Sequence, residues 1–139
     1  MNESTGHFEV GGGGDFLYVR VKGLASMYNC GAVRELIEKS LGEGVSRIVL
    51  DLGECKGMDS TFLGVMAGAA TFPRDEGTPD VTVVNCSSEN RRLIEELGLT
   101  EVVTLVPGVH APPDVALVPV EDDSDEQRRL DMIVEAHKE

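Results

Sequence analysis

The chain has 139 residues, about the commonest size of a single globular domain. It is 41% hydrophobic with no Trp and only 4% aromatic residues, so any core is aliphatic. Twelve basic against 25 acidic residues leave a net charge of −13, which repels nucleic acid and anionic membranes. No apolar run approaches the roughly 18 residues that would span a bilayer, and no basic-then-apolar leader opens the chain, so a cytoplasmic location is expected. Cys30, Cys55 and Cys86 are odd in number and far apart, without the close pairs of a zinc site or the density of a disulfide framework. They read as reduced, mostly buried thiols.

Taken in order, Met1 to Gly6 reads as a loose end. His7 to Val10 reads as a short strand, and the glycines Gly11 to Gly14 as the hairpin turn after it. A phosphate-binding loop is excluded there because Asp15 and a strand follow, not Gly-Lys-Ser/Thr and a helix. The β-branched and aromatic content of Phe16 to Val21 predicts a second strand. Val33, Leu36, Ile37 and Leu41 recur at helical spacing and predict a helix over Gly31 to Leu41.

Arg47 to Leu52 (RIVLDL) is an apolar run between glycines and predicts a central parallel strand. Ser60 to Thr71 predicts a buried helix ended by Pro73, its Gly64 and Gly68 spaced for close packing on the sheet. Val81 to Cys86 is a further strand. Ser87 or Ser88 caps a helix containing Leu93, Ile94 and Leu97, with Gly98 closing it, and Glu101 to Val106 supplies the next strand.

After Pro107 the composition shifts: Pro112, Pro113 and Pro119 interrupt regular structure, and compact sheet is expected to stop near here. Glu121, Asp122, Asp123, Asp125 and Glu126 form an acidic cluster. Ser124 with Gln127 makes a capping box for a last helix carrying Leu130, Ile133, Val134 and His137 on one side, expected to dock back on the domain. Strands alternating with helices imply an α/β domain with right-handed crossovers and a mixed, largely parallel β-sheet. The domain is assigned to residues 1–120, and 121–139 to an acidic linker and amphipathic helix.

The segment VLDLGECKGMDSTFLGVMAGAA runs strand, loop, acid, two hydroxyls, helix. It resembles the signature of the STAS family, typified by bacterial anti-sigma factor antagonists, whose loop carries Asp-Ser-Ser/Thr-Gly-Leu-Gly after an apolar strand. The corresponding residues are Asp59, Ser60, Thr61, Phe62, Leu63 and Gly64, with Phe62 departing from the usual Gly. The element order from His7 to about Val106, the Asn85-Cys86 strand end and Leu97-Gly98-Leu99 extend the resemblance over about three quarters of the chain.

The resemblance implies a STAS-like fold and a protein-binding switch. Unphosphorylated, such a protein captures an anti-sigma factor that is also a serine kinase and so frees a sigma factor; phosphorylation ends the interaction, and a metal-dependent serine phosphatase restores it. By position the acceptor is Ser60, with Thr61 a secondary candidate, and Asp59, Ser60, Thr61, Phe62 and Leu63 are the partner-binding residues. No cofactor is implied, and the protein is expected to be a monomer or weak dimer. The same motif also serves in unswitched partner subunits of signalling complexes and transport ATPases, which is the alternative reading.

The residues themselves are compatible with a switch. A hydroxyl in the first turn of a helix lies beside unpaired backbone N–H groups and the positive end of the helix dipole, which tolerate a phosphate. Such a phosphate adds about 1.5 to 2 negative charges next to Asp59. Asp59 or Ser60 can equally be an ordinary helix cap, and one residue can fill both roles. Catalysis is not expected: His7, His110 and His137 have no metal-ligand spacing, and Ser60 has no Gly-x-Ser-x-Gly around it.

Overall fold

The structure is a computed structural model that describes residues 6–75 and 77–120. Its elements are β1 (His7–Gly13), β2 (Phe16–Ala25), α1 (Gly31–Gly42), β3 (Arg47–Met58), α2 (Ser60–Ala70), β4 (Asp80–Val84), α3 (Ser88–Glu96), a 3-10 turn (Leu99–Glu101), β5 (Thr104–Leu105) and β6 (Val118–Val120). They form a six-stranded sheet in the order β5-β4-β3-β2-β1-β6. The pairs from β2 through β5 are parallel, and β1 is antiparallel to both its neighbours. The mixed, largely parallel sheet expected from the element order is therefore present.

Each parallel step moves one strand along the sheet with a helix between, so right-handed crossovers put α1, α2 and α3 on one face. Alternation along the strands supplies the matching apolar surface: Phe8 and Val10, Leu17, Val19 and Val21, Ile48, Leu50 and Leu52, Val81 and Val83 all enter one core with Val33, Ile37, Leu63, Met66 and Ile94 of the helices. Burying each such aliphatic side chain stabilises the fold by about 1.5–3 kcal/mol. The cysteines follow the expectation of burial, Cys30 and Cys55 buried and Cys86 half-buried. Burial pushes the Cys55 and Cys86 thiols up from their ordinary value, away from the reactive thiolate.

Several boundaries differ from the sequence expectation. Gly11 to Gly13 belong to β1, and the hairpin turn is only Gly14-Asp15, with Gly14 at φ 61°. Strand β3 runs on to Met58, paired beyond Asp51 with an equally prolonged β2 through two register shifts that break the apolar alternation. The expected strand Glu101 to Val106 is reduced to Thr104–Leu105, because Leu99–Glu101 closes into a 3-10 turn.

The sheet does not end near Pro107. Residues 107–117 cross the face without helices, and β6 then pairs with the outer edge of β1, Phe8 opposite Val120 and Val10 opposite Val118. Pro119 is tolerated because β6 is an edge strand. Gly11 is required by this return: a Cβ there would lie 2.4 Å from the Ala116 carbonyl oxygen. The acidic cluster, the Ser124–Gln127 capping box and the expected last helix lie outside the described residues.

On the face without helices a polar network replaces the apolar core. Tyr18 donates its hydroxyl to Asp51 Oδ2, while Asp51 Oδ1 accepts from Gly53 N at 2.9 Å and Asn85 Nδ2 at 3.0 Å. Arg20 Nε lies 3.9 Å from Asp51 Oδ2, and Arg20 and Lys22 both reach Glu9, at 3.5 and 3.3 Å. Asp51 is only 6% exposed, so these partners are what make burial of its carboxylate tolerable. Among the described residues no buried side-chain polar atom lacks a partner.

Candidate functional site

The expected site lies where β3 gives way to α2, at the carboxyl end of the parallel strands, where open α/β sheets commonly bind ligands. Asp59 is the hinge between them. Its backbone is extended (φ −99°, ψ 179°) and its N–H donates to Ala25 O at 3.0 Å, closing the sheet's last rung. Asp59 Oδ1 then accepts from Phe62 N at 3.1 Å, capping α2 and satisfying one of its first-turn donors. Asp59 Oδ2 accepts from Met27 N at 2.9 Å. One carboxylate thus holds the helix start and the β2–α1 loop together.

Ser60 and Thr61 follow in the first turn of α2, both exposed. Phe62 and Leu63 are not on that surface. Their side chains are 1% and 4% exposed, and Phe62 stacks on Phe8 with ring centroids 5.8 Å apart. The expectation that they contribute contact surface is corrected by helical periodicity: two residues beyond the exposed pair, the chain has turned onto the sheet. Phe62 fills core volume, and truncating a buried Phe costs about 3–5 kcal/mol.

Gly64 and Gly68 also differ from expectation. Neither packs on the sheet: both are exposed, and a Cβ at either would meet nothing within 4 Å. With Thr61, Val65 and Ala69 they form a smooth stripe along one wall of a groove of about 500 Å³, whose other wall is Cys30, Arg34 and Ile37 of α1 and its approach. The groove opens at Met27.

Sequence reading missed the β2–α1 loop altogether. Met27 is 60% exposed and Tyr28 76%, two large apolar side chains in solvent beside Ser60's helix. The loop is rigidly built: buried Asn29 donates through Nδ2 to Gly6 O (3.1 Å) and Leu24 O (2.8 Å), and accepts from Ser26 N through Oδ1 at 3.0 Å. Tyr28 N donates to Ser26 Oγ at 3.2 Å. The available signal was two large side chains in a short loop already closed by Ser26 and Asn29. On the other side, Asn90 of α3, a helix capped by Ser87, donates to Cys55 O at 3.2 Å and ties down the end of β3.

Among the described residues no group of His, Cys, Asp and Glu could hold a metal ion, and no helix is long and apolar enough to cross a membrane. What the site presents instead is a pair of exposed hydroxyls, a carboxylate that is already engaged, and an apolar loop.

Comparisons with known proteins agree with this fold. Residues 7–111 match the model of the STAS domain. Among solved structures, the chain is similar to an anti-sigma factor antagonist from Mycobacterium paratuberculosis at 21% identity and TM-score 0.65, over 77% of this chain and 90% of that one. It is also similar to the anti-sigma factor antagonist SpoIIAA in its unphosphorylated form, at 17% identity and TM-score 0.58 over 72% and 88% of the two chains. The Bacillus cell fate determinant SpoIIAA in the phosphorylated form superposes at 16% identity and TM-score 0.54, over 72% and 91%. No curated protein matches the chain. With the family model matching residues 7–111, most of the chain, the chain belongs to the STAS domain family.

Proposed function

We propose that this STAS domain is a non-catalytic, phosphorylation-controlled protein switch of the anti-sigma factor antagonist kind. In its unphosphorylated form it captures an anti-sigma factor that is also a serine kinase, frees a sigma factor and so regulates transcription indirectly. Ser60 is the acceptor, with Thr61 secondary, and a metal-dependent serine phosphatase restores the binding form. The switch works in the cytoplasm, as a monomer or weak dimer.

The observation that carries this reading is the position of Ser60: exposed, at the first residue of α2, directly after an Asp59 whose two oxygens are engaged by Phe62 N and Met27 N. A phosphate there is accommodated by the helix N-terminus, so the domain stays folded. It also adds about 1.5 to 2 negative charges beside a fixed carboxylate, so any apolar or acidic surface docked over the loop is repelled and poorly desolvated. Contact is through Asp59, Ser60, Thr61 and the neighbouring Met27 and Tyr28, while Phe62 and Leu63 hold the loop from beneath.

The test is binding of the full chain to the anti-sigma factor kinase encoded beside it, by calorimetry. Ser60→Ala is expected to bind like the unmodified protein and Ser60→Asp at least about tenfold more weakly, with both melting normally. Equal binding by all three forms would favour an unswitched partner subunit.

A further inference from the structure

A second cleft lies at the other end of the sheet, far from Ser60, between the helix-free face and the crossing segment 107–117. It encloses about 720 Å³, within the range of small-molecule sites, which run from about 300 to 1,000 Å³. Phe16 and Tyr18 of β2, Val49 of β3 and Val84 of β4 line the sheet side, and Pro113 lines the crossing segment. This is an apolar patch carrying two aromatic rings on a sheet face that is otherwise polar.

Much of the rest of the lining is polar, two arginines and two aspartates with Ser46, Thr78 and His110. Arg47 Nε pairs with Asp80 Oδ2 at 3.2 Å, which engages one of its five N–H donors. Arg74 donates through Nη1 to Val45 O at 3.3 Å, and among the described residues no carboxylate lies within ion-pair distance of it. Asp15 is the remaining carboxylate of the lining, and its Oδ2 lies 3.4 Å from Ser46 Oγ. Two guanidinium forks therefore retain donors beside the aromatic floor, the arrangement suited to a planar anionic group.

The wall is held in place by a strained residue. Asn85 has a positive φ of 58°, the only non-glycine among the described residues that does. Its side chain clamps His110 of the crossing segment, accepting from His110 N at 2.8 Å and donating to His110 O at 2.9 Å, and donates as well to Asp51. Backbone in a sparsely populated conformation persists where the surroundings require it, commonly at ligand sites. Here it fixes the segment at a set height above the sheet, leaving the cleft open beneath.

We infer that this cleft is a binding site for a small aromatic anion, its ring system on Phe16, Tyr18 and Pro113 and its carboxylate, sulfonate or phosphate group at Arg74 and Arg47. The site is independent of the Ser60 switch. Of the lining, Pro113 lies beyond residues 7–111 matched by the family model.

The probe is anilinonaphthalene sulfonate, an aromatic anion, set against the uncharged phenylnaphthylamine, each titrated into the full chain by fluorescence and by amide NMR. Saturable binding is expected with shifts at Tyr18, Val49, Arg74 and Ala111 but not at Ser60, and at least about tenfold weaker binding of the neutral analogue. Arg74→Gln should weaken the anion about tenfold, and Ala111→Trp, at an exposed lining position, should block both probes by filling the cleft. Non-saturable binding, shifts elsewhere on the molecule, or affinity unchanged in both variants would overturn the site. Equal affinity for the neutral analogue would overturn its anionic class.

Discussion

Asp51 and Asp59 lie eight residues apart on and just beyond the same strand, and they do opposite things. Asp51 is buried on the helix-free face, where its oxygens engage Tyr18, Gly53, Asn85 and, at longer range, Arg20. Every partner is internal, and the result is a fixed sheet face. Asp59 is half-buried, takes only two backbone N–H groups, and leaves Ser60 and Thr61 beside it in solvent. The same functional group thus serves the fold where its partners enclose it, and serves a surface where they merely aim it.

That contrast can be broken most forcefully at Asp51. Asp51→Ala leaves the buried Tyr18 hydroxyl without its acceptor and removes one of the two acceptors of the Asn85 amide and one of the two carboxylates near Arg20, and is expected to lower unfolding free energy by about 3 kcal/mol in urea melts. Its effect on partner affinity should follow only from lost folding. A stability change within about 0.5 kcal/mol would mean that the network does not hold this face.

Tyr18→Phe is the next largest, removing one donor from a buried acceptor at a cost of about 1–2 kcal/mol. It also carries a pH signature. Burial, followed by the hydrogen bond to Asp51 and that carboxylate's charge, raises the Tyr18 phenol well above its ordinary value. A raised folded-state value means a contribution fully present below the ordinary phenol range of about 10 and lost as pH climbs above it. The parent protein should therefore lose stability in alkaline melts beyond that point more steeply than Tyr18→Phe; parallel curves would contradict the assignment.

At Asp59 the expected stability loss is smaller, about 1 kcal/mol for a removed helix cap, but it releases Met27 as well. Asp59→Ala should speed amide exchange at both Met27 and Phe62, whereas loss of protection at Phe62 alone would separate the loop from the helix. Smallest of all, Ser60→Ala and Thr61→Ala should each shift stability by less than about 0.5 kcal/mol, since both side chains are exposed.

The regions differ also in how legible they were. The Ser60 loop is local: strand, Asp cap, two hydroxyls and a small-residue helix are contiguous, so the family resemblance that marks it could be read from one segment. The opposite face is not. Tyr18 and Asp51 are 33 residues apart and Asn85 and His110 are 25 apart, and neither pair leaves a periodic trace. Gly11 reads as part of a flexible run until the 107–117 return brings Ala116 against it, and β6 is three residues long with a proline at its centre. Phe62 was legible as an anomaly but not as core, because only the stacking on Phe8 explains where its ring goes.

Peptide-level mass spectrometry of the protein isolated from its native cells, across growth and stress conditions, tests the central claim most directly. The account predicts a phosphate between Met58 and Met66, fragmenting to Ser60, whose occupancy changes with condition. A consistent absence of phosphate from that peptide, with the parent protein bound to its partner throughout, would contradict it.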